Sequence, residues 1–146
     1  MAFKELSRTE LEELLVSERV VRVGFEARGE RYLVPLGFVS HRGALYAMTT
    51  RGRKTQMAAV DPKVSFQIDT SAKTGPFTWH SASGEGSLEI VTNSQEIEMV
   101  SRLLVAQFPD MPEWMQSEYA AKQQRGDVVF VRISPLQMVG RKSEPA

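Results

Sequence analysis

Tyr32-Leu33-Val34-Pro35-Leu36-Gly37-Phe38-Val39-Ser40-His41-Arg42-Gly43-Ala44-Leu45-Tyr46-Ala47-Met48-Thr49 reads as two strands joined by a turn. β-Branched, aromatic and leucine side chains fill both runs, and His41-Arg42-Gly43 between them is turn chemistry. Upstream, Val20, Val21, Val23 and Phe25 form a similar run that ends at Arg28-Gly29. Strands linked by turns this short pair antiparallel, because a parallel partner needs a crossover of a dozen residues or more. A doubly wound parallel sheet, with helices alternating regularly with strands, fits such an opening poorly.

Outward from this meander the pattern stays β-rich, with helices inserted. Ser7 three residues before Glu10 is a capping box, and Leu6 with Leu11 is placed as its hydrophobic staple. A helix is expected over residues 8–17, laying Leu11, Leu14 and Leu15 over the core as an amphipathic lid. After Thr49-Thr50-Arg51-Gly52-Arg53-Lys54 a short helix over 55–60 is stopped by Asp61-Pro62, and a strand over 64–68 follows. A polar loop over 70–76 leads into a long strand over 77–91, where Gly84 and Gly86 predict a bulge or sharp bend. Asn93 with Glu96 caps a second helix whose Ile97, Val100, Leu103, Leu104 and Phe108 share one side, expected to plug or cover the barrel. Pro109, Pro112 and Trp114 turn the chain into a third, more polar helix ending near Gly126. Two closing strands, over 128–133 and 136–139, flank Ser134-Pro135, and the tail from Arg141 is expected to fray. Six or seven mostly antiparallel strands with inserted helices make the expected class mainly β, an antiparallel split β-barrel forming a single domain over 1–146.

The 146 residues carry 18 Lys+Arg against 18 Asp+Glu and no cysteine. A chain of this length hides roughly 68–70% of its unfolded surface, so its core needs no metal or disulfide staple. Charge balance argues against a nucleic-acid or anionic-membrane partner. No apolar run nears the roughly 18 residues of a membrane span, so cytoplasm is the expected compartment. Without cysteine there is no thiol catalysis or thiolate metal site.

Three stretches carry candidate chemistry. Thr49, Thr50, Arg53 and Lys54 surround a glycine turn ahead of a helix N-terminus, which suits a phosphate or else a solvated basic turn. Pro35 lacks the N–H of a ladder, so the strand holding Pro35, Leu36 and Gly37 predicts an edge, bulge or break, and Gly37 admits a close neighbour such as a flat ring. Alternation along Phe77-Thr78-Trp79-His80-Ser81 puts Trp79 and Ser81 on one face and Thr78 and His80 on the other. Trp79 in such a place is either core or interface, or a stacking platform. His41 and His80 lack any H-E-x-x-H or H-x-x-E-H spacing, so no metal is expected.

In order and spacing these runs, with Asp61-Pro62-Lys63-Val64-Ser65-Phe66 and the strand from Trp79 to Val91, resemble the pyridoxamine 5′-phosphate oxidase-like FMN-binding split-barrel family. The resemblance implies a homodimer holding FMN in clefts at the subunit interface, with deazaflavin or heme as the cofactor in some relatives. It assigns Arg53 and Lys54, beside Thr49 and Thr50, to the cofactor phosphate. It runs Pro35, Leu36 and Gly37 under the isoalloxazine ring and brings Trp79, His80 and Ser81 towards the flavin or substrate cleft. The implied activity is an FMN-dependent oxidoreductase acting on a small organic molecule, with NADH or NADPH among the electron donors. A non-catalytic flavin, deazaflavin or heme carrier or sensor is the alternative. Met48-Thr49 stands where the nitroimidazole-resistance branch carries a histidine, so nitro-drug reduction is not implied.

Overall fold

Ser7 starts the first helix as its spacing predicts: its Oγ accepts from the Glu10 N–H at 3.1 Å, and Glu10 Oε1 accepts from the Ser7 N–H at 3.0 Å. In the computed structural model, which describes residues 3–144, a two-residue strand β1 (Lys4–Glu5) precedes this helix, α1 (Arg8–Ser17). The chain continues through β2 (Val20–Ala27), β3 (Glu30–His41), β4 (Ala44–Thr50), α2 (Arg53–Val60), β5 (Lys63–Asp69) and the single turn α3 (Ser71–Thr74). It ends with β6 (Trp79–Ile90), α4 (Ser94–Gln107), α5 (Glu113–Gln124) and β7 (Val128–Ser143).

Both tight hairpins are closed by an Arg-Gly pair. Arg28 and Gly29 have φ of 52° and 78°, and Arg42 and Gly43 have φ of 48° and 81°. Positive φ at both central residues matches the twist of the flanking strands, and glycine at the second position removes half its steric cost. The hairpins set the register, with Ala27 opposite Glu30 and His41 opposite Ala44. The strand order β7-β4-β3-β2-β5-β6 closes into a ring because β6 pairs antiparallel with β7, and β1 adds to the far end of β7. Alternate side chains point inward and fill the barrel: Val21, Val23 and Phe25 from β2, Phe38 from β3, Phe66 and Ile68 from β5, and Val131 and Ile133 from β7. Leu14 and Leu15 of α1 join this core, as the lid expectation requires. A second cluster, Tyr46, Val91, Val100 and Leu104, lies under α4, which covers the barrel from outside and does not plug it.

The structure corrects four boundaries. The closing segment is one 16-residue strand, and Ser134-Pro135 does not interrupt it. The irregularity is a register shift between Glu85 and Gly86, opposite Gln137 and Pro135, that leaves Leu136 unpaired and 71% exposed. The tail does not fray at Arg141, because Arg141, Lys142 and Ser143 pair with Ser81, His80 and Trp79. β6 begins at Trp79 and not at Phe77, and α2 begins at Arg53 and not at residue 55.

Lys142 explains why the tail stays ordered. Its Nζ lies 2.7 Å from Glu10 Oε2 and 3.2 Å from Glu144 Oε1, which ties α1 to the end of β7. Hydrogen bonds from Lys142 and from the Ser7 N–H lower the Glu10 carboxyl from 4.5 to about 2. A carboxylate depressed in the folded state contributes stability that is complete above its unfolded value and is lost as pH falls through its folded one. The tie is therefore expected to weaken as pH drops from 4.5 towards 2. Glu10→Gln is expected to flatten that limb of an acid-unfolding curve followed by circular dichroism; an unchanged limb would refute the pairing.

Candidate functional site

The barrel wall opens where β3 leaves β4. β3 pairs with β2 from Glu30 to Gly37 but with β4 only from Phe38 to His41, so the other edge of residues 30–37 has no strand partner. On the facing side, Met48, Thr49 and Thr50 of β4 pair only with β7, at Phe130, Val129 and Val128. Pro35 thus occupies an edge created by the split, the first of the three readings open to it, and the β2–β3 register runs through it without a bulge.

A cleft of about 330 Å³ fills the divergence. Pro35, Leu36 and Gly37 line one side, and Thr49, Thr50 and Lys54 line the other. Six sequence-predicted residues from three elements therefore meet in one place. Among the described residues three polar side chains belong to buried residues: Glu18 bonds to Lys73, Ser143 bonds to the Phe77 carbonyl, and Thr49 lies on the cleft wall.

Arg53 does not join Lys54 there. Its guanidinium sits 4.5 Å over the Tyr32 ring and 3.8 Å from Glu30. The physical reason is the earlier helix start: successive residues on a helix point about 100° apart, so two cations adjacent in sequence fan out once both are helical. The Thr55 hydroxyl closes the helix start, accepting from the Gly52 N–H at 3.0 Å.

Gly37 has a close neighbour, but from this chain. A Cβ there would lie 3.0 Å from Cζ of Phe108, the residue that ends α4. The flat ring admitted by Gly37 is that of Phe108, with the Arg19 guanidinium 5.3 Å over it.

Trp79, His80 and Ser81 lie on the β5–β6–β7 wall and do not line the cleft. Trp79 stacks on Phe3, with ring centroids 6.0 Å apart. His80 Nε2 is 3.5 Å from Glu144, and Ser81 Oγ is 3.4 Å from Gln67 Nε2. That same Gln67 donates to Asp69 at 2.6 Å. Burial works to raise Asp69, but the bonds from Gln67 and Ser71 outweigh it and leave the carboxyl below its ordinary value.

Two features were not legible in the sequence. One is the far wall of the cleft, formed by Trp114, Met115, Glu118, Tyr119 and Lys122 of α5. Their spacing was the available signal, one aromatic-bearing face on an otherwise polar helix. The other is a brace behind the cleft, where Glu96 of α4 accepts from the Tyr46 hydroxyl and Arg132, at 2.8 and 2.7 Å. Bonds from Arg132 and then Tyr46 hold the Glu96 carboxyl below the usual range, while burial first and Glu96 second raise the Tyr46 phenol. Among the described residues no three His, Asp or Glu side chains gather as a metal site, and no helix is long and apolar enough to cross a membrane.

A ring of antiparallel strands split at one seam, with a ligand-sized cleft in the seam, defines an antiparallel split-barrel protein. The chain belongs to the pyridoxamine 5′-phosphate oxidase-like FMN-binding split-barrel family: residues 7–142 match the family model described as pyridoxamine 5′-phosphate oxidase. Solved structures share the fold. An FAD-binding protein from Mesorhizobium loti is 24% identical with a TM-score of 0.76, over 99% of this chain and 100% of that one. An FAD-binding protein from Mycobacterium smegmatis is 20% identical at 0.68, over 97% and 100%. A heme storage protein from Vibrio cholerae is 14% identical at 0.69, over 92% and 94%. No curated protein matches the sequence.

Proposed function

We propose that the cleft holds FMN and that the protein is an FMN-dependent oxidoreductase acting on a small organic molecule in the cytoplasm, with NADH or NADPH as electron donor. The observation that carries this reading is the meeting of Pro35–Gly37, Thr49, Thr50 and Lys54 at the strand split. The residues suit the group. Lys54 offers a cation, and Thr49 and Thr50 offer hydroxyls for phosphate oxygens. The unpartnered edge of β3 offers backbone donors and acceptors to the polar rim of the ring. Bound there, a flavin would supply the redox chemistry; the chain would bind, orient and tune it.

The active form in this reading is a homodimer. Trp79, His80 and Ser81 lie away from the cleft of their own chain, so they reach a flavin as Trp79, His80 and Ser81 of the partner subunit. Phe77, 83% exposed next to them, supports an interface on that wall. An absorption spectrum of the purified protein, before and after FMN addition and desalting, tests the cofactor; a flavin spectrum that survives desalting is expected. Protein that stays colourless and binds neither FMN, deazaflavin nor heme on titration would overturn the reading. Steady-state turnover with NADH or NADPH then separates an enzyme from a non-catalytic carrier or sensor.

A further inference from the structure

We propose that the α5 wall of the cleft is a subsite for a planar, conjugated compound bearing a neutral carboxamide-type group. α5 turns Trp114, Met115, Glu118, Tyr119 and Lys122 into the cleft, the i, i+1, i+4, i+5, i+8 pattern of a single helix face. A face that carries aromatic residues ordinarily meets the core. Here no residue of α5 is buried, and Trp114 remains 65% exposed. Large aromatic surface left bare on a cleft wall is the composition of a ligand site. Trp114 and Tyr119 offer flat faces for a ring, and Met115 offers a polarizable filler beside them.

The helix face is aimed although it is not packed, because both ends of α5 are tied down. Arg19 pairs with Asp110 before the helix, at 2.6 and 3.0 Å. After it, the Arg51 N–H donates to the Asp127 carbonyl at 2.7 Å and Arg51 Nε to the Gly126 carbonyl at 3.3 Å.

The polar end of the face selects the substituent. Lys122 Nζ lies 3.4 Å from Glu118 Oε2 in an exposed i,i+4 pair, so each charge has an opposite charge beside it. An anion or a cation must compete for a group that already has a partner. A carboxamide competes with neither: its carbonyl accepts from Lys122 and its NH₂ donates to Glu118. At 1.5 Å of rise per residue Glu118 stands about 6 Å and Lys122 about 12 Å beyond Trp114, enough for a fused ring system before the polar end. Lys54 stays with the phosphate on the opposite wall, the one point at which this subsite rests on the flavin reading.

Three probes share one ring and differ in charge: 2-naphthamide, 2-naphthoate and 2-naphthylmethylamine. Each is titrated into full-length protein loaded with FMN, with affinity read by calorimetry and location by tryptophan emission, since Trp79 and Trp114 are the only tryptophans. The amide is expected to bind about twofold more tightly than either charged analogue, the scale of one exposed i,i+4 ion pair, with quenching that disappears in Trp114→Phe. Glu118→Gln leaves Lys122 unpaired and is expected to reverse the order in favour of 2-naphthoate. Equal affinities for the three probes, an unchanged order in Glu118→Gln, or quenching that persists in Trp114→Phe would each overturn the subsite. Flavin retention is read on the same samples by absorbance after desalting. Amide selectivity in protein that retains no FMN would uphold the subsite while the flavin reading falls, and FMN retention without amide selectivity would do the opposite.

Discussion

Gly84→Ala is expected to unfold the barrel more readily than any other glycine-to-alanine change outside the bulge. A Cβ at residue 84 would lie 1.9 Å from the Gln137 carbonyl oxygen, 2.8 Å from its carbon and 3.0 Å from the Met138 Cα. All three are backbone atoms of β7, so no side chain can turn aside to make room. Relief requires β6 and β7 to separate at the pairing that closes the ring, where Gly84 faces Phe66 on one side and Met138 on the other. Overpacking against a rigid backbone costs about 3 kcal/mol or more, a large share of the ~5–15 kcal/mol that holds a domain together. The thermal midpoint should fall by roughly 10 °C in a calorimetric scan. Gly43→Ala is the control: its φ is +81° but nothing lies within 4 Å of the added carbon, so only backbone strain of about 1 kcal/mol is expected. A fall for Gly84→Ala no larger than for Gly43→Ala would overturn the close approach.

Lys54→Ala is expected to weaken FMN binding roughly ten- to hundredfold, the worth of a charge-assisted phosphate contact. Arg53→Ala is expected to change it less than about threefold, because the Arg53 guanidinium rests on Tyr32 and near Glu30. The two variants are compared by quenching of flavin fluorescence on titration. Equal losses would show that Arg53 swings into the cleft and would refute the division of labour between the two cations.

The contrast between Arg53 and Lys54 marks where sequence reading stops. Both belong to one basic turn, and proximity along the chain suggested a shared task. Their directions depend on whether the helix includes them, and the Thr55 hydroxyl that closes its first turn decides that. Pro35 was legible as a misfit in a ladder, because a missing N–H is a property of the residue itself. Which remedy the fold adopts was not legible, since edge, bulge and break differ only in what the neighbouring strand does. Gly37 carried a true signal of close approach, but its partner, Phe108, lies 71 positions along the chain by residue number, and local pattern cannot name it. The same holds for α5, whose mixed face reads as a polar helix until the cleft opposite it is known.

The sequence by itself determined the antiparallel class and the first hairpin turn at Arg28-Gly29, because turn chemistry and period-two alternation act within a few residues and need no distant partner, whereas at the second turn the structure keeps His41 in β3, paired with Ala44. It also determined the start of α1 and the glycines at 84 and 86 as points where β6 must yield. Tertiary structure alone decided that β6 closes on β7, that the seam lies between β3 and β4, and that α5 walls it. Those outcomes are contacts between residues far apart in the chain, settled by which surfaces bury one another, and no local preference encodes them.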